Sequence, residues 1–153
     1  MSDTVLPADR ARIAYGVALR ETADRCYDLL AQAGDRTGSL RERADAVRRM
    51  RAETALAWQR WVLTELLEDT SYEEIAAVIP GMAAETLRAQ FADVVALWST
   101  PDPEASGVDT EHRIGTANDG DPHGTAATLE GWLARHRDAT SAPATALITG
   151  HAR

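Results

Sequence analysis

The stretch from residue 71 to residue 98 constrains the fold more than any other part of this sequence. Ser71 and Glu74 have the spacing of a capping box, in which a serine and a glutamate satisfy the first amide groups of a helix. Pro80 and Gly81 end this helix after about two turns, because proline cannot extend the hydrogen-bond ladder and glycine readily adopts a left-handed conformation. A helical apolar stripe then follows at Leu87, Phe91, Val94, Val95 and Trp98. The pattern predicts a short helix, a tight turn and a longer amphipathic helix.

Two long helices are predicted before this unit. The first runs from about Pro7 to Ala33, where Gly34 makes a natural stop, with an apolar stripe that includes Ile13, Val17, Cys26, Leu29 and Leu30. The second begins after Ser39 in another capping box, and its stripe includes Leu40, Ala44, Val47, Thr54, Trp58 and Trp61. Helix-forming residues dominate and alternating strand patterns are absent. The predicted fold class is all-α, with residues 1–98 as a helical core.

The remainder of the chain has a different composition. Residues 99–125 are rich in Pro, Gly and Asp and poor in large apolar residues, so we expect a flexible, disordered acidic linker. A short helix is predicted at about residues 126–138, followed by a tail of small residues to 153. Leu129, Trp132 and Leu133 fall on one face of this helix, which is too short to be stable alone. We therefore expect these three side chains to dock on the core or to bind a partner.

The layout of residues 71–98 is that of a helix-turn-helix. Over about residues 39–98 the sequence resembles small actinobacterial regulators whose helix-turn-helix is similar to region four of sigma factors. All 16 basic residues are Arg, which agrees with a GC-rich genome of this kind. The resemblance implies a DNA-binding transcriptional regulator of double-stranded DNA. Base contacts are then expected from the exposed part of the second helix, through Thr86, Arg88 and Gln90.

Charge is unevenly distributed along the chain. The net charge is −8, yet residues 1–60 carry a net charge of +2 and residues 61–153 one of −10. Phosphate contacts would therefore come from Arg41, Arg48 and Arg49 on the second long helix, or from the second copy in a homodimer. The uncovered apolar stripe of the first helix, from Ile13 to Leu30, is the predicted dimer surface. An alternative interpretation of the arginines is a solvated face interleaved with Glu42, Asp45 and Glu53.

A second function stays open beside DNA binding. The turn at Pro80 is about one residue longer than usual, and Arg88 is the only cation of the second motif helix, with Glu85 and Asp93 nearby. The alternative is a non-catalytic protein-interaction module, a degenerate helix-turn-helix that binds a sigma factor, RNA polymerase or another regulator.

An enzyme is not expected. No phosphate-binding glycine loop, nucleophile elbow or zinc-ligand spacing occurs, and no metal or other cofactor is predicted. Cys26 lies on the stripe of the first helix and is interpreted as a small core residue. The chain has no apolar run of membrane-spanning length and no signal peptide at its start, so we expect a cytoplasmic protein that does not enter a membrane.

Overall fold

The computed structural model describes residues 5–34, 37–99 and 121–139. Within these ranges the chain forms helices and no strand, which confirms the all-α class for them. The helices are α1 (Pro7–Gly34), α2 (Leu40–Leu67), α3 (Tyr72–Val78), α4 (Ala84–Ser99) and α5 (Pro122–Ala139). The first four belong to one compact unit and α5 belongs to another. None of them has the length and hydropathy of a membrane-spanning segment.

The two long helices form an antiparallel hairpin. Cys26 in α1 meets Met50 in α2 with a sulfur-to-sulfur distance of 3.8 Å, whereas the earlier Ala14 accepts a 2.8 Å hydrogen bond from the later Arg60. The buried α1 residues are Ala11 and Ala18, whose small side chains allow a close approach of the two helices. The predicted apolar stripes of this pair are only partly covered, because Leu30, Leu40 and Val47 are exposed.

The predicted helix starts at Leu40 and Tyr72 are confirmed. In each case the serine hydroxyl accepts a 3.2 Å hydrogen bond from the third helical amide, from Glu42 to Ser39 and from Glu74 to Ser71. The same glutamate accepts a hydrogen bond from the serine amide, at 2.7 Å and 2.9 Å respectively. These reciprocal bonds satisfy amide groups that would otherwise lack a partner.

Two tight turns fold α3 and α4 back onto α2. After α2, Asp69 adopts a left-handed conformation with φ 66°, and the amide of Thr70 donates to the carbonyl of Glu65 at 3.0 Å. This is the Schellman type of helix ending. After α3, Gly81 has φ 75°, a conformation that side chains with a Cβ rarely adopt. The second turn ends α3 at Val78, as the Pro80 signal predicts.

The core of this unit lies around the C-terminal part of α2, where α1, α3 and α4 converge. One cluster joins α1 and α2 to the second half of α4, and its buried members are Ala11, Leu63, Val94, Leu97 and Trp98. The other joins α2, α3 and the first half of α4 through Val62, Ile75, Leu87 and Phe91. Trp58 packs edge-on against Phe91, with ring centroids 6.0 Å apart. The core thus holds α3 and α4 in a fixed geometry on α2.

The helix α5 begins at Pro122, four residues before the predicted start. The carboxylate of Asp121 accepts a 2.9 Å hydrogen bond from the Gly124 amide, and proline is well suited to the first helical position. This Asp-Pro pair was a usable sequence signal for the helix start. The predicted linker therefore overlaps the helix at residues 122–125, and its residues 100–120 lie outside the described ranges, as does the tail from 140 to 153.

Candidate nucleic-acid interface

The helix α4 presents one face to the core and the other to solvent. Leu87 and Phe91 are 0% and 1% exposed and pack against α2 and α3. Thr86, Arg88 and Gln90 are exposed, together with the small side chains of Ala89 and Ala92. The three expected base-reading residues are thus all exposed on α4; Thr86 and Gln90, four positions apart, share one side of the helix, and Arg88 projects from another side.

Arg88 is engaged by α3. Its Nη2 atom donates to Glu73 Oε1 at 2.8 Å, and its guanidinium carbon lies 5.1 Å from the ring centroid of Tyr72. The side chain keeps half of its surface exposed. An ion pair and a cation–π contact therefore hold the expected guanine-reading side chain against α3. Sequence reasoning missed this contact, because the partners are 15 residues apart and no local spacing links them.

The two glutamates at the start of α3 are ionised at neutral pH. A backbone hydrogen bond and the hydrogen bond from Arg88 lower the pKa of Glu73, and hydrogen bonds from the Ser71 hydroxyl and amide lower the pKa of Glu74. Glu73 therefore presents a carboxylate, rather than a neutral acid, to Arg88 at neutral pH.

The surroundings of α4 are acidic. Residues 68–99 contain one Arg and six carboxylates, giving a net charge of −5. The six are Glu68, Asp69, Glu73, Glu74, Glu85 and Asp93. A polyanion that approaches α4 therefore meets repulsion unless cations from elsewhere compensate it.

The expected phosphate-binding arginines form a separate surface. Arg41, Arg48 and Arg49 are exposed on the first half of α2, and Arg48 lies 3.2 Å from Asp45 in an exposed ion pair. Trp58 is the first α2 residue in contact with the α3–α4 core. At 1.5 Å per residue, Arg49 lies about 13 Å along the helix from Trp58 and Arg41 about 26 Å. The structure does not bring these arginines into one cluster with Thr86 and Gln90.

Arg60 has a structural role that sequence reasoning missed. It is partly buried between α1 and α2 and donates to the carbonyl of Ala14. Desolvation lowers its pKa, while the charges of Glu21 and Glu53 act in the opposite direction. This arginine joins the two long helices rather than belonging to the exposed basic surface.

The expected partner-binding residues of α5 fall into two classes. Trp132 stacks on His136 with ring centroids 4.0 Å apart, and Leu129 is half-buried. Leu133 is 51% exposed. Only Leu133 therefore presents most of its apolar surface to solvent within its own unit.

No group of three or more metal-ligating side chains occurs in the part of the chain that the structure describes. No protein-family model, curated protein or solved structure matches this chain.

Proposed function

We propose that α3 and α4 form a helix-turn-helix and that the chain is a DNA-binding transcriptional regulator with α4 as its recognition helix. The observation that supports this most strongly is the arrangement of α4. Leu87 and Phe91 fix it on the core, and Thr86, Arg88 and Gln90 are exposed on it. A helix fixed on one side and polar on the other can enter the major groove of a duplex.

The side chains of α4 suit close approach to bases. Gln90 can form two hydrogen bonds with adenine, Arg88 can do so with guanine, and Thr86 can reach either base. The exposed Ala89 and Ala92 between them are small, so the helix backbone can come near the groove floor. These residues supply sequence discrimination and little of the total affinity.

Affinity has to come from the basic surface of α2 and from a second copy of the chain. Arg41, Arg48 and Arg49 can contact phosphates beyond the groove that α4 enters, and a homodimer doubles their number. DNA binding also requires Arg88 to exchange Glu73 for a base or a phosphate. The Glu73 carboxylate thus competes with DNA for the same cation.

This competition gives a matched pair of variants. Glu73→Gln and Glu74→Gln each remove one negative charge from the start of α3, but only Glu73 contacts Arg88. We expect E73Q to strengthen binding by about fivefold and E74Q by about twofold, since a charge-assisted hydrogen bond restrains Arg88 only through Glu73. The measurement is fluorescence anisotropy at low salt, with a duplex selected from a random pool by the wild-type protein.

The control for sequence reading is Gln90→Ala, which should weaken binding to the selected duplex and leave binding to a scrambled duplex unchanged. Failure of the pool to yield any enriched duplex would contradict the proposal. Equal effects of E73Q and E74Q would contradict the assigned competition.

The second candidate is a protein-interaction module for the transcription machinery. It is favoured by the net charge of −5 over residues 68–99 and by the engagement of Arg88 with Glu73, which together suit a basic protein surface better than a phosphate backbone. In that case E73Q and E74Q would both weaken binding to purified RNA polymerase or a sigma factor, and no duplex would be selected.

A further inference from the structure

One half of the α1–α2 hairpin exposes large apolar side chains. On α1, Leu19, Tyr27 and Leu30 are 45%, 47% and 53% exposed, and on α2 Leu40 and Val47 are 77% and 51% exposed. We define these five residues as the distal face. They lie on the part of the hairpin away from the α3–α4 core. Along α2, contact with that core begins at Trp58.

The spacing of the distal face is that of a helix-packing seam. Leu19, Tyr27 and Leu30 are eight and three positions apart on α1, and Leu40 and Val47 are seven positions apart on α2, so each set falls on one side of its helix. Each stripe lies roughly a quarter of a turn from the side on which the helix packs against its neighbour. Ala44, Val47 and Arg51 line a shallow groove along the α2 stripe.

The opposite side of the hairpin has a different character. There Glu21, Asp24 and Arg25 of α1 meet Glu53 of α2 around a polar cleft. On each helix the apolar stripe lies on the side that faces away from this cleft. Because α1 and α2 are antiparallel, the two stripes therefore share one side of the hairpin. The distal face is therefore one continuous surface made by two helices.

We propose that the distal face is the interface of a symmetric homodimer, in which two hairpins pack face to face as a four-helix bundle. This inference deepens the proposed function, which needs a second copy for affinity, but the interface does not depend on DNA. The two-fold axis runs along the bundle, so each α1 lies on the partner's α2 and both α3–α4 units are at the same end. All neighbouring helices are then antiparallel.

Charge favours a second copy in this arrangement. Residues 40–52 of α2 carry a net charge of +3, and Arg51 lines the groove on the distal face. Packing α2 on the partner's α2 would oppose these two basic segments, whereas packing α1 on the partner's α2 keeps them apart. Charge therefore favours the pairing of each α1 with the partner's α2.

The size of the face also suits a dimer. Two adjacent helices about 10 Å wide, over about 16 residues each, present roughly 480 Å². Two copies bury roughly 1,000 Å², less than the roughly 1,200 Å² at which stable interfaces begin and within the range of weak, transient ones. A weak, concentration-dependent dimer is expected from an interface of this area.

The experiment compares Val47→Glu with Val78→Glu in the full chain by sedimentation equilibrium without DNA. Val47 belongs to the distal face, while Val78 on α3 is 69% exposed and lies outside it. Since each dimer would bury two copies of Glu at position 47, we expect V47E to raise the dimer dissociation constant by about 100-fold. V78E should change it by less than about twofold. Leu30→Glu, on the other helix, should act like V47E.

The result that would overturn the inference is a wild-type chain that stays monomeric at high micromolar concentration. Equal dissociation by V78E and V47E would also overturn it. So would loss of the dimer on Leu133→Glu but not on V47E, because the interface would then lie on α5. A dimer that depends on Val47 but selects no duplex would refute the proposed function alone, and a monomer that binds a duplex would refute the interface alone.

Discussion

The two halves of α2 have the same apolar periodicity and opposite environments. In the second half three consecutive residues, Val62, Leu63 and Thr64, are buried, because α1, α3 and α4 surround the helix there. In the first half, α1 is the one helix of this unit, within residues 5–34 and 37–99, that packs alongside, and Leu40 and Val47 are exposed. Periodicity in a sequence thus identifies the stripe of a helix, whereas its coverage depends on which other elements reach it.

The lengths of the helices explain why the second half of α2 is more buried than the first. Each arm of the hairpin has 28 residues, about 42 Å, while α4 has 16 residues, about 24 Å. The helix α3 has only seven residues. The α3–α4 unit covers one end of the hairpin and cannot cover the other. Among the described residues of this unit, the other half is therefore covered by α1 alone, and we propose a second copy of the chain as its partner.

The largest expected contrast between the halves is in stability. Phe91→Ala should lower the free energy of unfolding by about 4 kcal/mol, since it empties a fully buried site between α2 and α3. Val47→Ala should cost less than about 1 kcal/mol in the monomer, because half of the side chain is already exposed. Urea denaturation at low protein concentration measures both values. Similar losses would break the distinction between the halves.

A smaller effect comes from the two capping boxes, which have the same chemistry in different surroundings. Ser71→Ala should reduce the free energy of unfolding by about 1 kcal/mol, because α3 is part of the cooperative core. Ser39→Ala should reduce it by less than half as much, since the start of α2 can fray without opening the core. Thermal denaturation followed by circular dichroism makes the comparison. A larger loss for S39A would place the first half of α2 in the cooperative core.

Local signals in the sequence were sufficient to predict most of the helical structure. The serine caps gave the starts of α2 and α3, and Pro80 with Gly81 gave the end of α3, since these features act within a few residues. Errors occurred where a local signal was overlooked, as with Asp121 and Pro122 before α5. The burial of Ala11 and Ala18 in place of larger α1 residues depends on close packing with α2, which the periodicity of one helix does not contain.

The candidate site was less predictable than the fold. Thr86, Arg88 and Gln90 could be placed on the solvent side of α4, because Leu87 and Phe91 determine its orientation. The pairing of Arg88 with Glu73 could not be predicted, since it depends on the angle between α3 and α4. The separation of Arg41, Arg48 and Arg49 from α4 also depends on tertiary packing, because it follows from which half of α2 the short helices cover.

Amide hydrogen exchange of the full chain at two concentrations tests the division of the hairpin most directly. Below the dimer dissociation constant, amides of residues 19–30 and 40–51 should exchange much faster than those of residues 57–67 and 87–98. At high concentration the first two segments should become protected, and the other two should not change. Equal protection of all four segments in the monomer, or no dependence on concentration, would contradict the account.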